Sequence, residues 1–209
     1  MITEMYTYCI LLVVSLLSVC SGIENQWKVQ EFPNPIYQVE DCGRSADVEK
    51  SWICDPNKVI SEQDVNDISD KLVEIYTNSR CNCAMCINNR TGYIVMVAIM
   101  PKMYRIINAS NSMSDIIQDA RVYSYYLSMY WGSFATCKQL VLLLISRDDG
   151  VVYTLTQMDA RRKLTDEMVT KITLDNQKYF DGNDRVKMGQ GIKSMINKYG
   201  ELLRKPSTE

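Results

Sequence analysis

Two apolar runs, Gly92–Met100 and Leu140–Ile145, restrict the fold of this 209-residue chain more than any other feature of its sequence. Neither run alternates polar with apolar residues, which is typical of strands that are buried on both faces of a sheet. The stretch between them, from about Ser114 to Tyr130, carries apolar residues at helical spacing. Two buried strands joined by a helix predict a parallel pair with a right-handed crossover.

Further elements surround this pair of strands. Val151–Thr156 follows a turn at Arg147–Gly150 and is predicted to pair antiparallel with the second strand. Ser61 and Thr165 each begin a helix, because each is an N-cap residue with acidic residues close behind it. The last helix covers about residues 183–203. The expected fold class is therefore α/β, a three-layer domain whose small mixed sheet is flanked by helices. The core stripe expected for the central helix consists of Ile116, Ala120, Tyr123, Leu127 and Tyr130.

The chain contains no histidine, and its charges nearly balance. With 23 Lys and Arg against 25 Asp and Glu, the formal net charge is −2, so there is no electrostatic case for binding nucleic acid. The missing imidazole excludes Ser-His and Cys-His nucleophiles, histidine metal ligands and the usual general base near neutral pH. An enzyme built on this chain must use carboxylates, Cys, Tyr, Lys or a bound cation.

A leader at the N-terminus is the clearest local signal. Cys9–Val19 is an apolar run of 11 residues followed by Cys20-Ser21-Gly22. This run matches a secretory signal and falls short of the ~20 residues that span a bilayer. Residues 1–22 are predicted to be a signal peptide. The alternatives are a buried element of the fold and a bacterial lipoprotein signal, which the absence of Lys and Arg before the run disfavours.

The rest of the chain is expected to have three parts. Residues 23–53 are a Pro- and Gly-containing N-terminal extension that lies over the surface and is tied down by its cysteines. Residues 54–204 form the α/β domain, and residues 205–209 are a polar tail. No second apolar stretch approaches membrane-spanning length, so we expect no transmembrane helix in the mature chain.

Six cysteines remain after the leader, and an even number in an exported chain predicts three disulfides. The alternative for the last four is a four-thiolate zinc site. Export favours the disulfides. The six are Cys42, Cys54, Cys81, Cys83, Cys86 and Cys137.

The layout of the strands suggests how these cysteines pair. The cluster 81–86 precedes the first buried strand and Cys137 precedes the second, so all four lie at one end of a parallel sheet, with Cys54 near the other end. We therefore expect Cys42 to pair with Cys54, and the remaining four to form two bonds. Of the ways to form those two bonds, the arrangement Cys83–Cys137 with Cys81–Cys86 avoids a disulfide between cysteines that are adjacent in the cluster and only two or three residues apart.

Two N-glycosylation sequons agree with export from a eukaryotic cell. They begin at Asn89 and Asn108, although each such motif often occurs by chance. Together with the leader and the cysteines, they predict a secreted or extracellular glycoprotein, which a partner can hold at a cell surface.

Acidic residues are expected at the carboxyl edge of the sheet, where ligands of open α/β sheets tend to bind. Asp148 and Asp149 lie in the turn after the second strand, and Asp55 lies in the loop before the first helix. These three carboxylates are a candidate site for a hard cation such as Ca²⁺. The ordinary alternative is a hairpin turn plus a helix-entry residue.

Tyrosines and methionines cluster along the central helix. Tyr125 and Met129 lie off its main core stripe, which makes them candidates for an aromatic protein-contact patch. The ordinary alternative is packing at the edge of the core.

Eight motifs occur in one order along nearly the whole mature chain, over about residues 27–203. They are Trp27, Phe32-Pro33-Asn34-Pro35, Cys42-Gly43-Arg44, Cys54-Asp55-Pro56-Asn57 before a capped helix, the Cys81-x-Cys83-x-x-Cys86 cluster, Pro101-Lys102-Met103, Tyr130-Trp131-Gly132 and Cys137. Together they resemble the nematode modulator of levamisole receptor family, whose extracellular part is a TPM domain. That domain is shared with a plant thylakoid acid phosphatase and with bacterial membrane-associated proteins.

The resemblance implies an accessory protein of a ligand-gated channel. The best understood members increase the response of levamisole-sensitive acetylcholine receptors, so the implied partners are subunits of such a receptor. Those members carry one transmembrane helix after the domain. No such helix occurs up to Glu209, so anchoring is not implied, and a missing C-terminal exon is the competing explanation.

The alternative function is a secreted, metal-dependent hydrolase of the acid phosphatase type. Metal-dependent hydrolysis can run on carboxylates alone, so the missing histidine does not exclude it. However, phosphatase-related TPM domains often have Gly-rich elements at the third strand, and residues 156–161 contain no glycine. The Asn-Gly pair that commonly precedes the second strand is replaced by Lys138-Gln139. We therefore expect an interaction protein rather than an enzyme.

Overall fold

One four-stranded sheet forms the centre of the protein, and the two apolar runs are its middle strands, as predicted. The strands β3 (Ile94–Met100) and β5 (Leu140–Ser146) pair in parallel, and every residue of both is buried. β2 (Ile53–Cys54) pairs parallel with β3, and β6 (Val151–Thr156) pairs antiparallel with β5, which gives the order β2-β3-β5-β6. The computed structural model describes residues 26–89, 91–107, 110–133, 135–182 and 184–205.

Helices cover both faces of this sheet and confirm the expected three-layer α/β fold. The helices are α1 (Glu62–Asn78), α2 (Ala84–Asn89), α3 (Met113–Trp131), α4 (Met158–Arg161), α5 (Asp166–Asn176) and α6 (Arg185–Leu203). α1, α5 and α6 pack on one face, against β3 side chains such as Val95 and Val97. α3 and the N-terminal segment pack on the other face, against Met96 and Ala98.

The first helix begins where its cap residue predicts. The Ser61 hydroxyl accepts a hydrogen bond from the Asp64 backbone N–H at 3.1 Å, a contact worth about 1 kcal/mol in typical caps. From there Ile68, Leu72 and Ile75 recur at helical spacing and are buried against the sheet. Local capping and the apolar stripe therefore specify the same helix.

The glycines of α6 lower its intrinsic helix propensity, and two of them are explained by close packing. A Cβ at Gly189 would overlap the Asp64 carboxylate, and one at Gly191 would lie 2.6 Å from the Tyr179 Cβ. Lys193, one turn along, forms an ion pair with Asp64 at 2.7 Å. The glycines thus let α6 approach its neighbours closely.

Two expectations from the sequence are corrected by the structure. The N-terminal extension does not merely cover the surface, because Phe32 is fully buried and stacks on Trp131 with 5.7 Å between ring centroids. This segment also provides Ile53, the first residue of β2, and the short strand β1 (Gln26–Trp27), which pairs with β4 (Lys102–Met103). Tyr130 is not a core residue of α3, since its neighbour Trp131 takes the buried position.

Candidate functional site

Asp55 lies at the carboxyl end of β2, where its side chain closes the loop into α1. It is 2% exposed, and its two oxygens accept the backbone N–H groups of Val59 at 2.8 Å and Ile60 at 3.0 Å. Burial raises the pKa of Asp55 to about 6, because the charged carboxylate loses its hydration. The two N–H groups and the positive charges of Arg185 and Arg147 offset part of that effect.

The two acids of the β5–β6 turn have different surroundings. Asp149 is buried and accepts hydrogen bonds from the Met103 N–H at 3.0 Å and the Ser146 hydroxyl at 2.5 Å. Asp148 is partly exposed and forms an ion pair with Arg147 at 2.7 Å. Asp149 therefore joins the turn to the segment that follows β3, whereas Asp148 stays at the surface.

The predicted cation site combines Asp55, Asp148 and Asp149, and the structure does not gather their oxygens into one coordination sphere. Among the described residues, the only group of three or more Cys, Asp or Glu with ligand atoms within 4.8 Å of one another consists of cysteines. The carboxylates do share an edge of the sheet, since Arg147 acts electrostatically on Asp55. Calcium binding at this edge stays a prediction.

A basic cavity of about 370 Å³ opens beside Asp55. Its cationic lining residues are Arg44, Lys58 and Arg185. Arg185 donates to the backbone oxygens of Lys58 and Ile60, and Arg44 donates to the Asn66 side chain at 2.7 Å. Arg185 therefore supports the loop that leads into α1, and Arg44 joins its own segment to α1.

The cysteines form the three disulfides that the sequence layout favours. Cys42 bonds to Cys54, Cys81 to Cys86, and Cys83 to Cys137. The last four sulfurs lie within 4.8 Å of one another, an arrangement that also suits a four-thiolate zinc site. Paired as disulfides, none of these four sulfurs is a thiolate, and metal binding requires one.

The solvent side of α3 carries a continuous group of large apolar residues, which we call the aromatic face. Its members are about half exposed: Tyr125 54%, Tyr126 52%, Met129 54% and Tyr130 47%. The rings of Tyr125 and Tyr126 meet edge to face with their centroids 5.6 Å apart. Tyr, Met and Arg are enriched in protein interfaces, and polar residues normally occupy the outer side of a helix.

The aromatic face borders a groove that runs between α3 and the edge strand β6. The groove has a volume of about 640 Å³. Tyr153 and Leu155 of β6 line it together with Arg161 and Asp166, which follow that strand in the chain. On the α3 side its lining consists of Arg121, Val122, Tyr125 and Tyr126.

The structure places the predicted contact residues Tyr125 and Met129 on this face, and it adds residues that the sequence analysis missed. Tyr126 was not singled out, and Tyr130 was assigned to the core. The signal for Tyr126 was present, because Val122 and Tyr126 lie four residues apart on a side of the helix that the core stripe leaves free. Tyr130 lies at the border of that stripe, where spacing does not decide which residue is buried. Arg161 had no sequence signal, since only the fold brings it beside α3.

Some predictions concern parts of the chain that the structure does not describe. The signal peptide, residues 1–22, and the sequon residue Asn108 lie outside the described residues, as does the side chain of Asn89. Within the described part, no helix combines the length and apolar character needed to cross a membrane.

The family model described as modulator of levamisole receptor-1 matches residues 27–150, more than half of the chain. The chain belongs to this family. The matched region includes all six cysteines of the disulfides and the whole of α3, with its aromatic face. The family resemblance expected from the eight motifs is thereby confirmed.

A similar solved structure supports the fold alone. It is the solution NMR structure of the N-terminal domain of a protein from P. gingivalis, with a TM-score of 0.56 and 17% sequence identity over 85% of this chain and 91% of that one. No curated protein matches the chain. The likeness confirms the small α/β domain and says nothing of the function.

Proposed function

We propose that this protein is an extracellular accessory protein that increases the response of a levamisole-type acetylcholine-gated channel, and that it acts by protein contact. Membership of the levamisole receptor modulator family supplies the partner class. The observation that carries the mode of action is the aromatic face, an apolar surface left uncovered on an otherwise well-packed helix.

Contact alone is sufficient for this activity. A modulator shifts gating when it binds the open and closed receptor with different free energies, and the coupling between sites is typically ~1–3 kcal/mol. Half-exposed tyrosines suit that task, because each buries a large area at a small cost in side-chain entropy. The domain that presents these tyrosines is held rigid by two disulfides at one end of the sheet and by a third disulfide near the opposite end.

Co-expression with receptor subunits tests the proposal. Agonist-evoked currents are recorded from cells that express the receptor alone, with this chain, and with this chain fused to a membrane anchor, which raises its local concentration. We expect larger currents with at least one form of the chain. Unchanged currents with both forms, at equal receptor density on the cell surface, remove the receptor from the proposal.

The second candidate is the acid phosphatase-like hydrolase, and one observation favours it. Asp55, with its pKa raised to about 6, borders a cavity lined by Arg44, Lys58 and Arg185 as well as Glu62, and this excess of positive charge suits an anionic ester. Turnover of p-nitrophenyl phosphate by the purified chain, with and without Ca²⁺ or Mg²⁺, separates this candidate from the first. Activity that is lost in Asp55→Asn but kept in Asp148→Asn would establish it.

A further inference from the structure

Within the described part of the chain, the edge strand β6 has one side without a strand partner. In the order β2-β3-β5-β6, the described residues pair β6 with β5 alone. The Gln157 N–H donates to the Leu140 carbonyl, and this fixes the phase of the antiparallel ladder. In this ladder only alternate residues form backbone hydrogen bonds with β5. The backbone N–H and C=O groups of Tyr153 and Leu155 therefore point to β5, whereas those of Val152 and Thr154 point to the open side of β6.

Further along the strand, this outer side already accepts a donor. The Thr156 carbonyl points to the outer side of β6, as the backbone groups of Val152 and Thr154 do. It accepts a hydrogen bond from the Arg161 side chain at 3.1 Å. Arg161 therefore occupies the outer edge at its Thr156 end, and its position shows that a donor outside the sheet can reach this side of β6.

The groove beside the aromatic face runs along this same edge. Side chains of Tyr153 and Leu155 point to the α3 face of the sheet, whereas Thr154 points to the opposite face and its hydroxyl bonds to Tyr199 of α6. A cavity that all three residues line must lie at the edge that both faces share. Its 640 Å³ is enough for several side chains of an extended segment.

Two arginines give the groove a positive rim. Arg121 is exposed and forms no ion pair with the residues that the structure describes. Arg161 pairs at 3.2 Å with Asp166, and both side chains are largely exposed, so this pair contributes little and can exchange for another acid. A second copy of this chain, placed on a two-fold axis at this groove, would bring together two copies each of Arg121, Arg161 and Asp166, and this excess of positive charge disfavours self-association here.

We propose that an extended, acidic segment of a partner protein adds to β6 as a fifth strand and fills this groove. Its backbone bonds to Val152 and Thr154, alternate side chains contact Tyr125, Tyr126 and Leu155, and its carboxylates pair with Arg121 and Arg161. This inference names the contact element of the proposed function and rests on it for the biological identity of the partner, but its test uses no receptor.

The test is selection of random peptides displayed on phage against the purified chain with its disulfides intact. We expect enrichment of extended sequences in which Asp or Glu recurs beside aromatic or aliphatic residues at every second position. A synthetic peptide of the enriched sequence is then titrated by fluorescence polarisation against the wild type and three variants.

Each variant isolates one feature of the proposed complex. Val152→Pro removes an outward-facing N–H and leaves the β5–β6 ladder intact, and it should weaken binding about tenfold or more. Arg121→Glu should do the same, and a peptide with Lys in place of its acid should recover binding to this variant. Lys187→Glu, an exposed charge change on α6, is the matched control and should stay within about twofold.

Three results overturn the inference: no enriched acidic sequence, binding that neither Val152→Pro nor Arg121→Glu weakens, or a groove found to be covered by a second copy of the chain. In all three, the current recordings described above still decide the proposed function. Conversely, peptide binding with the expected variant pattern but unchanged currents would leave the groove established and remove the receptor.

Discussion

The carboxyl end of the sheet and the solvent side of α3 differ in what their side chains contact. At the carboxyl end, Asp55 and Asp149 are buried and bind donors of their own chain. On the aromatic face of α3, four large apolar side chains are half exposed, and Arg121 lines the groove beside them. The first region uses its polar groups to hold loops together, whereas the second leaves apolar surface exposed to solvent.

The two sides of α3 offer the largest expected contrast. Leu127→Ala removes a fully buried side chain and should lower the free energy of unfolding by about 3 kcal/mol. Met129→Ala, two residues away on the aromatic face, should change it by no more than about 0.5 kcal/mol. Urea denaturation of both variants measures the difference. A cost at Met129 that approaches the cost at Leu127 would mean that the aromatic face belongs to the core.

The acids of the β5–β6 turn should differ in the same way. Asp149→Ala removes the acceptor of the Met103 N–H and the Ser146 hydroxyl and should cost about 2–3 kcal/mol. Asp148→Ala breaks only a surface ion pair and should cost less than about 0.5 kcal/mol. Thermal unfolding of the two variants decides this comparison, and equal costs would contradict the assigned role of Asp149.

Asp55 should make stability depend on pH. Its folded pKa of about 6 lies above the unfolded value of 3.8, so the folded state holds its proton more tightly. The resulting stabilisation is complete below pH 3.8 and is lost as the pH rises through 6, a change of about 3 kcal/mol for a shift of roughly two pKa units.

The matched measurement compares wild type with Asp55→Asn, which cannot ionise, by chemical denaturation between pH 4 and pH 7.5. The stability of the wild type relative to this variant should fall across that range. A difference that does not change with pH would show that the Asp55 carboxyl titrates in the ordinary range.

Calcium should have the smallest effect. The oxygens of Asp55, Asp148 and Asp149 do not form one coordination sphere, so any calcium site at this edge should have a dissociation constant no tighter than about 1 mM. At that affinity, 1 mM Ca²⁺ should stabilise the protein by at most about 0.4 kcal/mol. Differential scanning fluorimetry with and without Ca²⁺ checks this, with Mg²⁺ as the control. A clear stabilisation by micromolar Ca²⁺ that Asp149→Asn abolishes would reverse the comparison between the two regions.

The long apolar runs in the sequence predicted the central strands of the sheet, whereas strands of only two residues carry no pattern that could predict them. β3 and β5 are each seven residues long and entirely buried, so their runs stand out in the sequence. β1 and β2 have two residues each, too few for any periodicity, and they form because the disulfide and the Phe32 contacts hold their segment against the sheet. The pairing of the cysteines followed from the strand layout because both parallel strands begin at one end.

The candidate sites were predictable to different degrees for a physical reason. Periodicity identified Tyr125 and Met129 but put Tyr130 in the core, because Tyr130 and Trp131 both lie near the end of the stripe and only packing decides which is buried. The acids were located at the right edge of the sheet. Whether their oxygens face a ligand or a backbone N–H depends on loop conformation, which residue spacing does not encode.

The most direct test of the central claim is a current recording with two double variants of the chain. Tyr125→Ser with Met129→Ser alters the aromatic face. Leu174→Ser with Val186→Ser alters apolar residues of α5 and α6 that are at least as exposed, in the layer on the other side of the sheet. At matched levels of secreted protein, the first should lose the increase in agonist-evoked current and the second should keep it. Equal currents with both variants would contradict the claim that this protein acts through the aromatic face of α3.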